Sequence, residues 1–223
     1  FDPRCKSGIL DGNPAHEDLL EACRMADPDF LLNVVLSPQG DLVEVVAGHY
    51  EHAHREGCRA VDRMLRVDLD QPYDLLIASA GGFPLDIDLR QAHKGLENAV
   101  QALRPGGTIL FYAECPMGSG HPSFDDYISR FEDEHAMERQ LRQRFEVGGH
   151  KAWWIRRLGS QFDIHLVSRL PEAFVRRCGF TPVDPELHEP HLASLLATHA
   201  GGRIGVLPYS GFTLPFLKEP VAV

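Results

Sequence analysis

Hydrophobic positions along the chain fall into strand-like runs and helix-like stripes. Two apolar runs, 30–36 and 42–47, flank a turn that contains Pro and Gly, and they predict an antiparallel hairpin. Further on, apolar runs at 73–80 and 108–113 enclose a segment, 89–103, whose apolar residues recur at helical spacing. A strand, a helix and a strand in this order predict a βαβ unit with a parallel sheet.

The remaining periodic segments extend this outline into a full α/β domain. The predicted helices are 16–25, 49–65, 122–130, 132–145, 150–158, 171–178 and 188–198, and the predicted strands are 164–168 and 203–207, followed by an irregular tail that contains Pro. We therefore expect 1–223 to form one α/β domain. Its Rossmann-like mixed or parallel sheet would be flanked by helices, with a β-hairpin edge and a helical insertion.

The charge balance limits the partners of the chain. Its 223 residues carry 22 Lys and Arg against 32 Asp and Glu, which gives a net charge of −10. Such a field repels nucleic acid and anionic lipid, so we expect neither as a partner. A small anionic substrate would also be repelled overall. An anion site in this chain must therefore be built locally, from basic side chains or the amino end of a helix.

Cysteine usage and hydropathy indicate the compartment. The chain has five cysteines, an odd number without a CxxC motif, so neither a disulfide framework nor a thiolate zinc site is indicated. No apolar run approaches the ~20 residues that a membrane-spanning helix needs, and no signal-peptide pattern opens the sequence. We expect a protein of the reducing cytoplasm, without a membrane partner.

The segment that follows the predicted strand 73–80 is the strongest candidate for an anion site. Gly81 and Gly82 allow close backbone approach at the carboxyl end of a strand, where open α/β sheets bind ligands. On the next helix, Gln91, Lys94 and Asn98 cluster away from the apolar stripe. A carboxylate could meet the helix amino end, Gln91 and Lys94 together. The alternative interpretation is an ordinary solvated helix face.

Three other motifs point to competing chemistries, and each is incomplete. The segment 104–110 is typical of a late strand in Rossmann-type methyltransferases, but no GxGxG follows an early strand. His49, His52 and His54 have a metal-like spacing, but the aspartate of HxHxD hydrolases is missing and the three do not share one helix face. Ser79 does not lie in a GxSxG motif, which argues against a serine hydrolase.

Several segments in fixed order resemble the C-terminal half of the nickel-pincer lactate racemase family. These segments are ILDGNPAH (9–16), DFLLNVV (29–35), AG (47–48), AHR (53–55) and AGGFPLDIDLRQAHKGLENA (80–99). In that family the C-terminal domain closes over an N-terminal domain that holds a nickel-pincer nucleotide, and together they racemise or epimerise a 2-hydroxy acid.

The resemblance implies a division of labour between the two halves. This chain would be the substrate-clamping C-terminal domain, and its partners would be the N-terminal domain of the same polypeptide and a small 2-hydroxy acid. The nickel-pincer nucleotide, the proton-transfer histidines and the nickel ligand would belong to the N-terminal half. Hydride transfer to that cofactor would proceed through a 2-keto acid. We therefore assign no catalytic residue or metal ligand to this chain and expect it to be inactive alone.

Residue by residue, the resemblance assigns substrate contacts only. Gln91 and Lys94 match the QxxK pair that holds the substrate carboxylate, beside the glycine turn described above. The segment 148–153 resembles the part of the family that faces the other end of the substrate, through either His150 or Trp153. Both could equally be ordinary residues at the start of a helix.

An alternative function comes from a different class of proteins. The chain could be a carboxylate-binding module that has the same fold and no catalytic activity. An N-terminal half with a lysine and several histidines in the family pattern would favour the enzyme, and its absence from the natural gene would favour the binding module.

Overall fold

The computed structural model describes residues 1–218, so the last five positions of the predicted Pro-containing tail lie outside the described residues. The chain divides into two compact units, Phe1–Val67 and Asp68–Val223. That the whole chain forms one C-terminal domain of a larger polypeptide stays a prediction.

The first unit is a β-hairpin with two helices. In chain order it contains α1 (Pro14–Ala26), β1 (Leu31–Leu36), β2 (Leu42–Gly48) and α2 (Tyr50–Leu65). The strands pair antiparallel, with Val34 opposite Val45, and α2 lies against both of them. The hairpin was predicted as an edge of the central sheet, and this is wrong, because β1 and β2 form a two-stranded sheet of their own. Val35 and Val46 face α2, so this helix already covers the apolar face of the hairpin.

The second unit is built around a parallel sheet. Its elements, with β3 crossing the unit boundary, are β3 (Arg66–Leu69), β4 (Tyr73–Ser79), α3 (Leu89–Val100), β5 (Leu103–Tyr112), α4 (Pro122–Arg130), α5 (Glu134–Gln143), α6 (Gly149–Gln161), β6 (Asp163–Val167), α7 (Glu172–Arg177), β7 (Thr181–Val183), α8 (His188–Thr198), β8 (Ile204–Leu207) and β9 (Leu214–Leu217). Short 3₁₀ turns lie at Pro185–Leu187 and Ser210–Phe212. The central sheet has the order β7-β6-β5-β4-β8, and all of its neighbouring strands are parallel.

Helices cover both faces of this sheet, as a fully parallel sheet requires. On one face, Leu76 and Ala78 of β4 belong to a large core with residues of α3, α4, α6 and α7. On the other face, Leu75 belongs to a smaller core with Leu195 of α8. The predicted α/β fold class, with its flanking helices and helical insertion, is confirmed. No helix within residues 1–218 is long and apolar enough to cross a bilayer.

One element boundary differs from the prediction for a clear reason. The helix predicted to reach position 103 ends at Val100, and Leu103 already belongs to β5. Leu103 has the spacing of the apolar stripe on the helix, so the sequence pattern includes it. In the structure it is a buried strand residue that pairs with Tyr73. Residues 104–107 are skipped in the pairing between β4 and β5, which resumes with Leu75 opposite Thr108. The short strands β3, β7 and β9 were not predicted.

Candidate functional site

The glycine turn at the end of β4 has the backbone geometry that its sequence predicts. Gly81 has φ 115° and Gly82 has φ 78°, both in the region that favours glycine. The Gly81 N–H already donates a hydrogen bond of 3.1 Å to Ser79 Oγ, so this amide is engaged within the turn.

The turn borders a crevice of about 280 Å³ at the carboxyl ends of β4, β5 and β6, where open α/β sheets bind ligands. Its lining residues are Ser79, Gly82, Asp86, Tyr112, Ala113, Glu114, Val167, Ser168, Arg169 and Pro185. At its rim, Arg169 Nε lies 2.9 Å from Glu114 Oε1. Gly82 therefore lies in this crevice, whereas the predicted contacts Gln91 and Lys94 do not line it.

The amino end of α3 is capped from within the chain. Asp88 Oδ1 accepts a hydrogen bond of 2.7 Å from the Gln91 N–H. The N–H groups of Leu89 and Arg90 donate to the carbonyls of residues 118–119 at 3.0 and 3.2 Å. Because these amides already have acceptors, the helix end offers an anion its dipole and no free N–H group among these three. An anion must be held here by side chains.

Two of the three predicted polar residues on α3 form an exposed pair. The exposed Lys94 donates a hydrogen bond of 2.7 Å from Nζ to Oε1 of the half-buried Gln91. Asn98 was predicted on the same face, but it is buried, and its Nδ2 donates to the Ser210 carbonyl at 2.9 Å. The candidate site therefore contains Gln91 and Lys94, and Asn98 has a structural role.

Residues 210–212, the Ser210 turn, hold α3 against the sheet. Ser210 Oγ donates to the Ser79 carbonyl at 2.7 Å, which ties the turn to the end of β4. Gly95 allows the close approach, since a Cβ there would lie 2.5 Å from Ser210 Oγ and 3.3 Å from Ala80 Cα. The position of Lys94, one residue earlier, therefore depends on this contact.

The structure adds a buried histidine that the sequence did not single out. His93 is completely buried, and its Nδ1 lies 2.6 Å from the Arg90 carbonyl oxygen. This carbonyl can only accept, so Nδ1 carries the proton and Nε2 is left as an acceptor. Lys151 Nζ donates to Nε2 at 2.9 Å. Burial, followed by the charge of Lys151, lowers the pKa of His93 to about 3, so the ring is neutral at pH 7.

Lys151 brings a second ammonium to α3. Burial lowers its pKa below the ordinary lysine value, the Glu97 carboxylate opposes that shift, and the charges of Lys94 and Arg90 add to it. Burial also raises the pKa of Glu97. Lys151 lies next to the predicted site residue His150, and its place in the 148–153 segment is the sequence signal that could have found it.

The two residues predicted at the far end of the substrate both lie on α6. His150 is half-buried, with its ring centroid 5.3 Å from that of Phe145, and burial lowers its pKa. Trp153 is only 5% exposed and belongs to the large core, with the Arg157 guanidinium 5.4 Å from its ring centroid. A substrate contact through either residue stays a prediction.

The metal-like histidine spacing does not form a metal site. His49 caps α2, because its Nδ1 accepts from the Glu51 N–H at 3.3 Å. Throughout residues 1–218, no group of three or more His, Cys, Asp or Glu side chains could hold a metal ion. The spacing of His49, His52 and His54 therefore does not correspond to such a group.

The parallel sheet, covered by helices on both faces and with a crevice at its carboxyl edge, defines a Rossmann-like α/β domain. Residues 69–178 match the family model of the lactate racemase C-terminal domain. This match confirms the resemblance that the sequence motifs predicted.

Two curated relatives are named lactate racemase. The chain is 34% identical over 142 residues to the protein from Thermoanaerobacterium thermosaccharolyticum, an alignment that covers 64% of this chain and 33% of the relative. It is 34% identical over 131 residues to the protein from Lactiplantibacillus plantarum, covering 59% of this chain and 31% of the relative. The alignments thus span about a third of each curated relative.

Solved structures support the fold. The lactate racemase apoprotein from Thermoanaerobacterium thermosaccharolyticum superposes with a TM-score of 0.85 at 28% identity, over 98% of this chain and 52% of that chain. A crystal structure of a Thermotoga maritima protein superposes with a TM-score of 0.65 at 17% identity, over 95% of this chain and 55% of that one. The likeness to the Thermotoga maritima protein shows a shared fold alone.

Proposed function

We propose that this chain is the substrate-clamping part of a nickel-dependent 2-hydroxyacid racemase or epimerase. The observation that supports this most directly is the exposed Gln91–Lys94 pair, in a segment that matches the family model of the lactate racemase C-terminal domain. Within residues 1–218, Lys94 forms no ion pair with a carboxylate, so its charge is available to a substrate.

The pair is suited to a carboxylate. Because Gln91 Oε1 accepts from Lys94, the amide NH₂ of Gln91 remains a donor, and the ammonium of Lys94 keeps its other N–H groups. Together they offer a neutral and a charged donor to one carboxylate, and a charge-assisted bond contributes roughly 1.5 to 3 kcal/mol. Such a clamp fixes the carbon next to the carboxylate and retains a reaction intermediate.

The chemistry of the nickel cofactor belongs, in this proposal, to a different part of the full-length protein. As the resemblance to the family implies, we propose that the N-terminal domain of the full-length protein holds the nickel-pincer nucleotide. The proposed hydride transfer through a 2-keto acid belongs to that domain, with its proton-transfer histidines. The contribution of this chain is to bind and orient the substrate.

A racemisation assay on the full-length protein, matured with its nickel cofactor, tests the proposal. Single enantiomers of monocarboxylic, dicarboxylic, aromatic and sugar-derived 2-hydroxy acids are incubated, and the product configuration is followed by chiral chromatography. Inversion of at least one acid, with much slower inversion by Lys94→Ala, is the expected result. Carboxylate binding without inversion of any acid would instead identify a non-catalytic binding module.

A further inference from the structure

Three cations lie near the buried His93 of α3. Arg90 and Lys94 lie four residues apart on one helix and therefore share a face, and Lys151 reaches His93, the residue between them that precedes Lys94, from α6. Across residues 1–218, none of the three forms an ion pair with a carboxylate. Arg90 Nε is also buried without a hydrogen-bond partner among these residues.

The charges of these groups interact with one another. Lys94 and Arg90 both lower the pKa of Lys151, so the three cations repel each other, and Glu97 is the carboxylate that counteracts them. In a chain of net charge −10, this is a local excess of positive charge. One bound carboxylate would compensate only one of the cations, whereas a ligand with two negative charges would balance the group more fully.

His93 holds Lys151 in a defined position. The bond from His93 Nδ1–H to the Arg90 carbonyl fixes the neutral ring, and the lone pair on Nε2 then accepts from Lys151 at 2.9 Å. One N–H of the ammonium is used in this bond, and the other two remain available to a ligand. His93 is therefore a positioning residue for a cation that the Gln91–Lys94 clamp does not require.

We propose that the substrate is a 2-hydroxy acid with a second carboxylate, which Lys151 binds while Gln91 and Lys94 hold the first. This inference rests on the proposed function and adds the substrate class. Lys151 is then the specificity-determining residue, and His93 keeps its ammonium at the site.

A matched pair of ligands tests this assignment. 2-Hydroxybutyrate and 2-hydroxysuccinate have the same carbon chain length and differ in the second carboxylate. Binding of each to the full-length protein is measured by calorimetry near neutral pH. We expect the dianion to bind at least about tenfold more tightly, and Lys151→Met to abolish most of that preference.

Further variants separate charge from structure. Lys151→Arg should keep much of the preference because it keeps the charge, His93→Leu should reduce it, and Lys6→Met is the control that removes an exposed lysine from the other unit. If the dissociation constants of the two ligands for the wild-type protein differ by less than about twofold, the inference is wrong, and no variant is needed to show it. A preference that survives Lys151→Met also overturns it.

The same measurements distinguish this inference from the proposed function. If Lys94→Ala weakens the binding of both ligands and Lys151→Met weakens the binding of neither, the carboxylate clamp is supported and only the dicarboxylate assignment is wrong. If Lys94→Ala leaves both ligands unchanged, the carboxylate clamp itself is wrong.

Discussion

Lys94 Nζ and Gln91 Oε1 lie 2.7 Å apart, one turn from each other on α3. Side chains three residues apart on a helix are neighbours, so each orients the other without help from a further element. The hydrogen bond leaves the amide NH₂ of Gln91 and the other N–H groups of Lys94 as donors. This preorganisation is the basis of the first two predictions.

Lys94→Ala should lower the kcat/KM of the full-length enzyme for its 2-hydroxy acid by on the order of 10- to 100-fold, because a cation is removed from the bound carboxylate. The free energy of unfolding should change by less than about 0.5 kcal/mol, since the side chain is exposed and Ala is the better helix former. Steady-state kinetics and urea unfolding measure the two effects. Lys6→Ala is the matched control, and a change in kcat/KM within about twofold for Lys94→Ala would contradict the clamp.

Gln91→Glu should lower kcat/KM more than Gln91→Ala does. The alanine variant loses one neutral donor, for which we expect a fall of about tenfold in kcat/KM. The glutamate variant also pairs with Lys94 and repels the substrate carboxylate, so a further fall of about tenfold is expected. Kinetics of both variants under identical conditions give the comparison. Equal activity of the two variants would show that this side chain does not approach the substrate.

His93 should make the protein less stable in acid. Its pKa is about 3 in the folded chain, against an ordinary value of 6.5. Between these values the unfolded chain binds a proton that the folded chain excludes, so stability is lost as the pH falls below about 6.5. Since the ring is fully buried, its contribution between about pH 7.5 and about pH 5 is on the order of 2 kcal/mol.

Urea unfolding of the wild type and of His93→Leu at these two pH values checks the sign of this pH dependence. The variant should be less stable at both, because Lys151 and the Arg90 carbonyl lose their partner, but its loss of stability on acidification should be smaller than that of the wild type. His135→Gln, at an exposed position, should leave the wild-type difference in place. An unchanged acid dependence in His93→Leu would mean that the folded chain protonates His93 as readily as the unfolded chain does.

Gly95→Ala should destabilise the second unit by roughly 1 to 3 kcal/mol. The new Cβ would lie 2.5 Å from Ser210 Oγ and 3.3 Å from the Gly211 backbone nitrogen, so α3 or the Ser210 turn must move. Gly201→Ala is the control, since a Cβ there meets nothing within 4 Å. Chemical denaturation compares the two variants. A neutral effect of Gly95→Ala would show that the turn yields easily and does not hold α3 in position.

The sequence was most informative where one helix or strand determined the pattern. The βαβ unit follows from the local periodicity of its hydrophobic residues. The proximity of Gln91 and Lys94 follows from their spacing on one helix. The His93–Lys151 bond joins residues that are 58 positions apart, and only the fold brings them together. Asn98 was misplaced for the same reason, since the Ser210 turn that buries it comes from the far end of the chain.

The bond between Asn98 and the Ser210 carbonyl has a consequence for synthesis of the chain. Its two residues are separated by 112 positions. At a translation rate of roughly 5 to 20 residues per second, α3 leaves the ribosome several seconds or more before the segment that fixes it. During that interval the Gly95 face of the helix has no partner from the Ser210 turn. Synthesis must therefore proceed past Ser210 before the cations of α3 are held in their final arrangement.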